Sequence, residues 1–249
     1  MPSTPPSHRY AKNIVLPEIG EEGQARLLAT RMLVVGAGGL GSPVLLYLAA
    51  AGVGRIGIVD PDRVELSNLQ RQILFETGDL SHFKTLSARA RLEELNPEIA
   101  LEVYTEALTA ENATRLCAGV DLVLDCCDRF ETRYAINDAC MGLGIPWASG
   151  ALRGFTGQVA LYAPHLDAAL PCYRCFCPEP PDEPNRCSDD GVLGAFAGMV
   201  GSLQAMEALR YVLSIGEPAA GTMLRVDGKT LTSKRVKVRR DAGCGHGVA

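Results

Sequence analysis

Apolar positions in the first quarter of the chain fall into two short runs around one long one. Residues 31–60, RMLVVGAGGLGSPVLLYLAAAGVGRIGIVD, open on MLVV, cross a glycine turn, continue as SPVLLYLAAA and close on IGIV and an acid. Short apolar runs bounded by turn residues read as buried strands, and a longer apolar run as a helix, so this stretch predicts one strand–helix–strand unit. A helix is expected through LSHFKTLSARARLEELN, closed by Asn96-Pro97, and an alternating strand through ALEVYTEAL. VDLVLDCCD reads as a buried parallel strand ending in an acid, FETRYAINDACMGLG as a helix, and IPWASGALRG and GQVALYAP as two further strands. Strands alternating with helices predict an α/β fold, a doubly wound Rossmann-like sheet that is mostly parallel and becomes mixed in its C-terminal strands.

Past residue 165 the pattern changes. PEPPDEPNR, 178–186, is proline-rich and acidic, and reads as a loop without regular structure. The apolar stretch GVLGAFAGMVGSLQAMEALRYVL predicts a helix over 192–213, and TMLRVDGKTLTSKRVKV a hairpin turned at Asp227-Gly228. Ser202, Gln204, Glu207 and Arg210 interrupt that helix, which makes it a buried or interface helix in place of a membrane span.

Composition narrows the class. The chain has 249 residues, 47% of them hydrophobic, and 24 Lys+Arg against 29 Asp+Glu, a formal charge of −5. Such a balance sets aside a general nucleic-acid surface. The N-terminus MPSTPPSHRYAKN has no apolar h-region, so neither a secretory signal nor a membrane anchor is expected, and the expected location is the cytoplasm. Nine cysteines without an export signal point to metal or thiol chemistry and away from a disulfide framework.

The candidate chemistry begins at the glycine turn. Gly36, Gly38 and Gly41 fit G-x-G-x-x-G between a predicted strand and a predicted helix, with Asp60 ending the next strand. The glycines permit close approach of backbone N–H groups to an anion at a helix N-terminus, and Asp60 can accept from ribose hydroxyls. A dehydrogenase built on this motif needs an acid–base group near the nicotinamide. The four histidines, His8, His82, His165 and His246, are poorly placed to supply one. VELSNLQRQILF follows instead: Arg71 can fork onto phosphate oxygens, Asn68 and Gln72 can donate without charge, and Lys84 comes soon after. Asp128, closing LVLDCCD, is placed to hold a magnesium ion that bridges phosphates. This set suits ATP better than a dinucleotide.

VVGAGGLGSPVLLYLAAAGVGRIGIVDPDRVELSNLQRQILF, DLVLDCCD, CYRCFCPEP and GSLQAMEALR together resemble the ThiF and MoeB family of adenylyltransferases, relatives of the ubiquitin-activating enzymes, over nearly the whole chain. The resemblance implies a single adenylation domain, with an N-terminal helical segment (1–30), a nucleotide-binding part (31–165), and a part (166–249) holding a zinc and crossover loop, a dimer helix and a carrier-binding hairpin. It implies an ATP- and Mg2+-dependent homodimer that adenylates the C-terminal glycine of a ubiquitin-like sulfur carrier in thiamine or molybdopterin biosynthesis, with a cysteine desulfurase or other sulfur donor as a further partner. It assigns Gly39 to the nucleotide loop, Asp60 to the ribose, the segment from Ser67 to Arg71 to the phosphates, Arg71 and Lys84 to transition-state charge, and Asp128 to magnesium and positioning. Asp62 and Gln72 are counted with the nucleotide-binding residues, and Arg129 stands where the family tends to have Asn, one extra cation near the triphosphate. The N-terminal arginine that reaches the partner subunit's ATP is replaced by Lys12 in RYAKN, which keeps the charge and loses the fork; Arg9 is the alternative cation.

Cys172 and Cys175 form C-x2-C, and Cys244 stands near the C-terminus, a pattern suited to a structural Zn2+ that pins the tail to the body. The family has a second C-x2-C there, whereas this chain offers Cys244 and His246, with Cys177 as a substitute fourth ligand. Cys187, past the proline-rich loop, matches the family's loop cysteine, a candidate for thioester or persulfide chemistry. Cys126, Cys127 and Cys140 are expected in core packing. The competing readings are a NAD-linked oxidoreductase, a non-catalytic relative that keeps the fold, and a family member acting on a tRNA base or a peptide.

Overall fold

A computed structural model describes residues 8–179, 191–217 and 219–245. Its strands are β1 (Arg31–Val35), β2 (Arg55–Val59), β3 (Ala100–Tyr104), β4 (Leu122–Asp125), β5 (Trp147–Arg153), β6 (Thr156–Tyr162), β7 (Thr222–Asp227) and β8 (Thr232–Lys237). They form one eight-stranded sheet in the order β3-β2-β1-β4-β5-β6-β7-β8. Pairing is parallel from β3 across to β5 and antiparallel from β5 to β8. The expected change from parallel to mixed therefore falls at the turn between β5 and β6.

The helices among the described residues are α1 (Ala11–Ile14), α2 (Gly20–Ala29), α3 (Gly41–Ala51), α4 (Lys84–Leu95), α5 (Ala113–Cys117), α6 (Phe130–Leu143), α7 (Tyr173–Phe176) and α8 (Gly194–Leu213). Side chains alternate across each strand, so the sheet builds two cores. Met32, Val34, Ile56, Ile58, Leu122 and Leu124 face the side covered by α3, α4 and α8. Leu33, Val35, Val59, Val123 and Trp147 face α5, α6 and α7. On that second face Trp147 stacks on Tyr162 with ring centroids 4.8 Å apart, and the Tyr173 ring meets both edge-on.

Several boundaries differ from the sequence expectation. Strand β3 stops at Tyr104, four residues before the end of ALEVYTEAL. Helix α4 starts at Lys84, because the backbone just before it is claimed elsewhere: Ser81 N–H donates to Val64 O and Val64 N–H to His82 O, both at 2.9 Å. Strand β4 ends at Asp125, so Asp128 lies in the loop beyond it and Cys126 and Cys127 are outside the strand. Helix α8 begins two residues later than expected, at Gly194. The hairpin turns at Asp227-Gly228 as expected, with the Asp227 carboxylate accepting the Lys229 and Thr230 N–H groups. The proline-rich stretch lies outside the described residues from 180 onward.

One buried amide ties the first core to the sheet. Gln204 of α8 is fully buried, and its Nε2 donates to Asp125 O at 2.7 Å and to Ala148 O at 3.0 Å, at the ends of β4 and β5. Removing it strands two carbonyls in a dry interior. Gln204→Ala is expected to lower unfolding free energy by about 2–4 kcal/mol, read from the urea midpoint at unchanged m-value.

Candidate functional site

The adjacent strands β1 and β4 carry the chain in opposite directions across the sheet, β1 leading toward β2 and β3 and β4 toward β5. Ligands of doubly wound sheets bind at that switch point, beyond the C-terminal strand ends. A cleft of about 540 Å³ opens there, lined by residues following β1, β2 and β4 together with the 65–72 segment.

The glycine turn forms its floor. Gly36 has φ +94°, and a Cβ on it would lie 2.8 Å from Cys126 O; a Cβ on Gly41 would sit 1.9 Å from Gly36 O. Those two glycines are required by the chain's own packing. Gly38 is not: the nearest atom to a Cβ there is Gln72 Nε2 at 3.8 Å, so the floor above it is open. Gly39 packs under Arg71.

Asp60, after β2, is 5% exposed; its Oδ2 accepts Ala37 N–H and its Oδ1 accepts Asp62 N–H, each at 2.8 Å. Burial raises its pKa from the ordinary carboxylate value, with the Lys84 charge and the two amides pulling against that shift. Lys84 is brought back to this acid by the turn preceding α4: its N–H donates to Asp62 O, and Nζ meets Asp62 Oδ2 at 2.9 Å. At 6% exposure Lys84 is no solvated surface lysine. Asn68 and Gln72 are buried on the opposite wall, and Gln72 Oε1 has no hydrogen-bond partner among the described residues, an unfilled acceptor beside the cleft. Arg71 is half-buried, with Nη1 donating to Ser67 O at 3.0 Å.

Of the residues expected here, Gly36, Gly38, Gly39, Asp60, Asp62, Asn68, Arg71, Gln72, Lys84, Asp128 and Arg129 line the cleft. Gly41 lies beneath it as the first residue of α3, and Ser67 is exposed outside it. Lys12 is exposed on α1 and does not line this chain's cleft. Arg9 is committed locally, with Nη1 on Leu95 O at 2.8 Å and Nε 3.5 Å from Glu98. No described histidine lines the cleft. Arg133 is paired to buried Asp125, and Arg63, Arg71, Lys84, Arg129 and Arg153 still outnumber Asp60, Asp62, Glu65 and Asp128 there, so a protein of net charge −5 keeps a locally cationic cleft. Such a field suits a polyphosphate.

Sequence reading missed the pair behind the cleft. Asp125, fully buried, meets Arg133 Nε through Oδ2 at 2.7 Å. The signal was present: Arg133 precedes Ile136 and Cys140 by three and seven residues, a charge on the apolar stripe of α6. Cys127 also departs from a simple packing role. It lines the cleft, and its Sγ donates to Asp125 Oδ1 at 2.7 Å, with burial and then the Asp125 charge pushing the thiol pKa well up. Cys126 and Cys140 are buried as expected.

A second cluster lies at α7. The Sγ atoms of Cys172, Cys175 and Cys244 lie within 4.8 Å of one another, with 3.9 Å from Cys172 to Cys175 and 3.6 Å from Cys172 to Cys244. Tetrahedral thiolates at a Zn–S distance of about 2.3 Å stand about 3.8 Å apart, so the three fit zinc. Cys177, the expected substitute ligand, stands outside this group, its Sγ against Tyr134 Oη and Glu179 O. His246 and Cys187 lie outside the described residues.

The ThiF family model matches residues 10–246, and the chain belongs to that family. A sulfur carrier protein adenylyltransferase of Thermus thermophilus is 48% identical over 240 residues, covering 95% of this chain and 89% of that protein. The adenylyltransferase and sulfurtransferase MOCS3 of Mus musculus is 45% identical over 234 residues, 93% of this chain and 50% of its own length. The chain thus spans about half of the MOCS3 relatives. Among solved structures, E. coli MccB with ATP shares the fold at a TM-score of 0.82 and 19% identity, over 97% of this chain and 75% of that one.

The two kinds of glycine separate by experiment. Gly41→Ala is expected to lose at least about 3 kcal/mol of stability, because the clash is with backbone, whereas Gly38→Ala stays within about 1 kcal/mol of the parent in urea unfolding.

Proposed function

We propose that this chain is an ATP-dependent adenylyltransferase that joins AMP to the C-terminal glycine carboxylate of a ubiquitin-like sulfur carrier protein and releases pyrophosphate. The observation that carries the reading is the cationic cleft, whose described lining residues are equipped for phosphate charge and include no histidine. Adenylation of a carboxylate needs no base, because the nucleophile is already ionised. One carboxylate oxygen bonds to the α-phosphorus of ATP as the bond to the bridging oxygen of pyrophosphate breaks, and the negative charge moves onto pyrophosphate.

In this reading the open floor over Gly38 takes the phosphates against the N-terminus of α3, Asp60 accepts from the ribose, and Gln72 Oε1 receives a donor from the ligand. Arg71 and Lys84 supply fixed positive charge where the transition state gathers negative charge. Asp128 and the cleft-lining Arg129 are on the side where a magnesium ion would be held; that ion would neutralise phosphate oxygens. The name and near-full coverage of the Thermus relative support the carrier as acceptor. Lys12, remote from its own cleft, fits a homodimer in which it reaches the partner's nucleotide. The outward hairpin β7–β8 is the candidate surface for the carrier's tail, and Cys187 the candidate thiol for a later acyl or persulfide step. No described helix is long and apolar enough to cross a membrane.

Incubation with ATP, magnesium and candidate Gly-Gly-terminated carriers is expected to give a carrier heavier by one AMP group, read by intact mass. Arg71→Ala and Asp128→Asn are each expected to slow its formation by about 100-fold or more while leaving folding intact. An adduct formed equally well by both variants would remove these residues from the chemistry. For the thiol cluster, one equivalent of zinc is expected per chain, and Cys244→Ser is expected to lose it together with several degrees of thermal midpoint. Metal analysis by mass spectrometry checks this.

A further inference from the structure

The ion pair behind the cleft is used by no step above, yet it grips the loop that carries Asp128. Arg133 is 6% exposed, and its guanidinium reaches three acceptors: Nε donates to Asp125 Oδ2 at 2.7 Å, and Nη2 donates to the carbonyl of Cys127 at 2.9 Å and, more weakly, to the carbonyl of Gly150 at 3.4 Å. Asp125 holds the same residue from the other side, its Oδ1 accepting the Cys127 N–H at 3.1 Å and the Cys127 thiol at 2.7 Å. Ser149 Oγ donates to Oδ2 at 2.9 Å, which prevents the carboxylate from swinging. The amide and the carbonyl of Cys127 are thus both fixed, and the next residue is Asp128, exposed at the cleft.

Stability does not explain this arrangement well. A buried ion pair gives little net stabilisation over apolar groups of similar volume, because both charges must be desolvated. What the pair supplies is geometry, through a planar fork that reaches the Asp125 carboxylate on one arm and main-chain carbonyls on the other. The guanidinium is itself held, 5.8 Å from the ring centroids of Phe130 and Tyr173.

We infer that Arg133 is a positioning residue for Asp128, acting through Asp125 and the Cys127 peptide to aim the Asp128 carboxylate at the metal-bound phosphates. The inference rests on the proposed magnesium role of Asp128, and its test separates the two. Lysine at 133 can keep the charge opposite Asp125 but cannot hold Cys127 O in the same fork.

The experiment is calorimetric ATP binding across a magnesium titration for the parent, Arg133→Lys, Asp128→Asn and the double variant, with urea unfolding of each. Arg133→Lys is expected to raise the half-saturating magnesium concentration about tenfold and to leave magnesium-free ATP affinity within about twofold. Asp128→Asn is expected to raise it at least as far, and the double variant no further than Asp128→Asn alone. If Arg133→Lys weakens binding equally with and without magnesium, or adds its full effect to that of Asp128→Asn, Arg133 acts directly or on the whole fold and the inference fails. If Asp128→Asn leaves magnesium dependence untouched, the reading of Asp128 fails and takes the inference with it. Should Arg133→Lys not fold, Ser149→Ala loosens Asp125 while keeping the ion pair; about a threefold shift in the same direction supports the inference, and no shift overturns it.

Discussion

One buried carboxylate organises the back of the cleft. Asp125 ends β4, and four parts of the chain converge on it: α6 through Arg133, α8 through Gln204 on its carbonyl, β5 through Ser149, and the following loop through Cys127. An unpaired acid at that depth would cost several kcal/mol. The donors to the carboxylate therefore have to be in place together, and meeting that requirement fixes α6, β5 and the following loop at the back of the cleft, while Gln204 ties α8 to the main-chain carbonyl of the same residue. The site's rear wall is built around this one residue.

The front of the cleft obeys a different constraint, close backbone approach. The β1–α3 turn brings the Gly36 carbonyl to where a Cβ on Gly41 would stand, so α3 begins directly above the strand end. The turn before α4 then returns Lys84 to Asp62. A protein that is acidic overall thereby presents a cationic cleft, with no histidine among its described lining residues and a floor left open over Gly38. Polyphosphate chemistry with a pre-ionised nucleophile fits that combination.

Features set by local pattern were legible in the sequence. The glycine turn with Asp60, the alternation of strands and helices, and the hairpin at Asp227-Gly228 all rest on spacing within a few tens of residues. Features set by long-range pairing were not. LVLDCCD contains two acids three residues apart, and only the end of β4 at Asp125 shows which is buried and which faces the cleft. The burial of Lys84 depends on bonds between residues 63–64 and 81–83, which no periodicity announces. Arg133 on an apolar stripe was a visible anomaly, but its partner lies eight residues away across a strand end. Lys12 is exposed and does not line this chain's cleft, so the role expected of it has no counterpart within one chain.

Carrier-dependent exchange of labelled pyrophosphate into ATP tests the central claim most directly. Adenylation of a carboxylate predicts exchange only when the carrier has a free C-terminal glycine carboxylate, and loss of exchange when that carboxylate is amidated. Exchange that proceeds with the amidated carrier, or release of inorganic phosphate in place of pyrophosphate, would contradict attack at the α-phosphate.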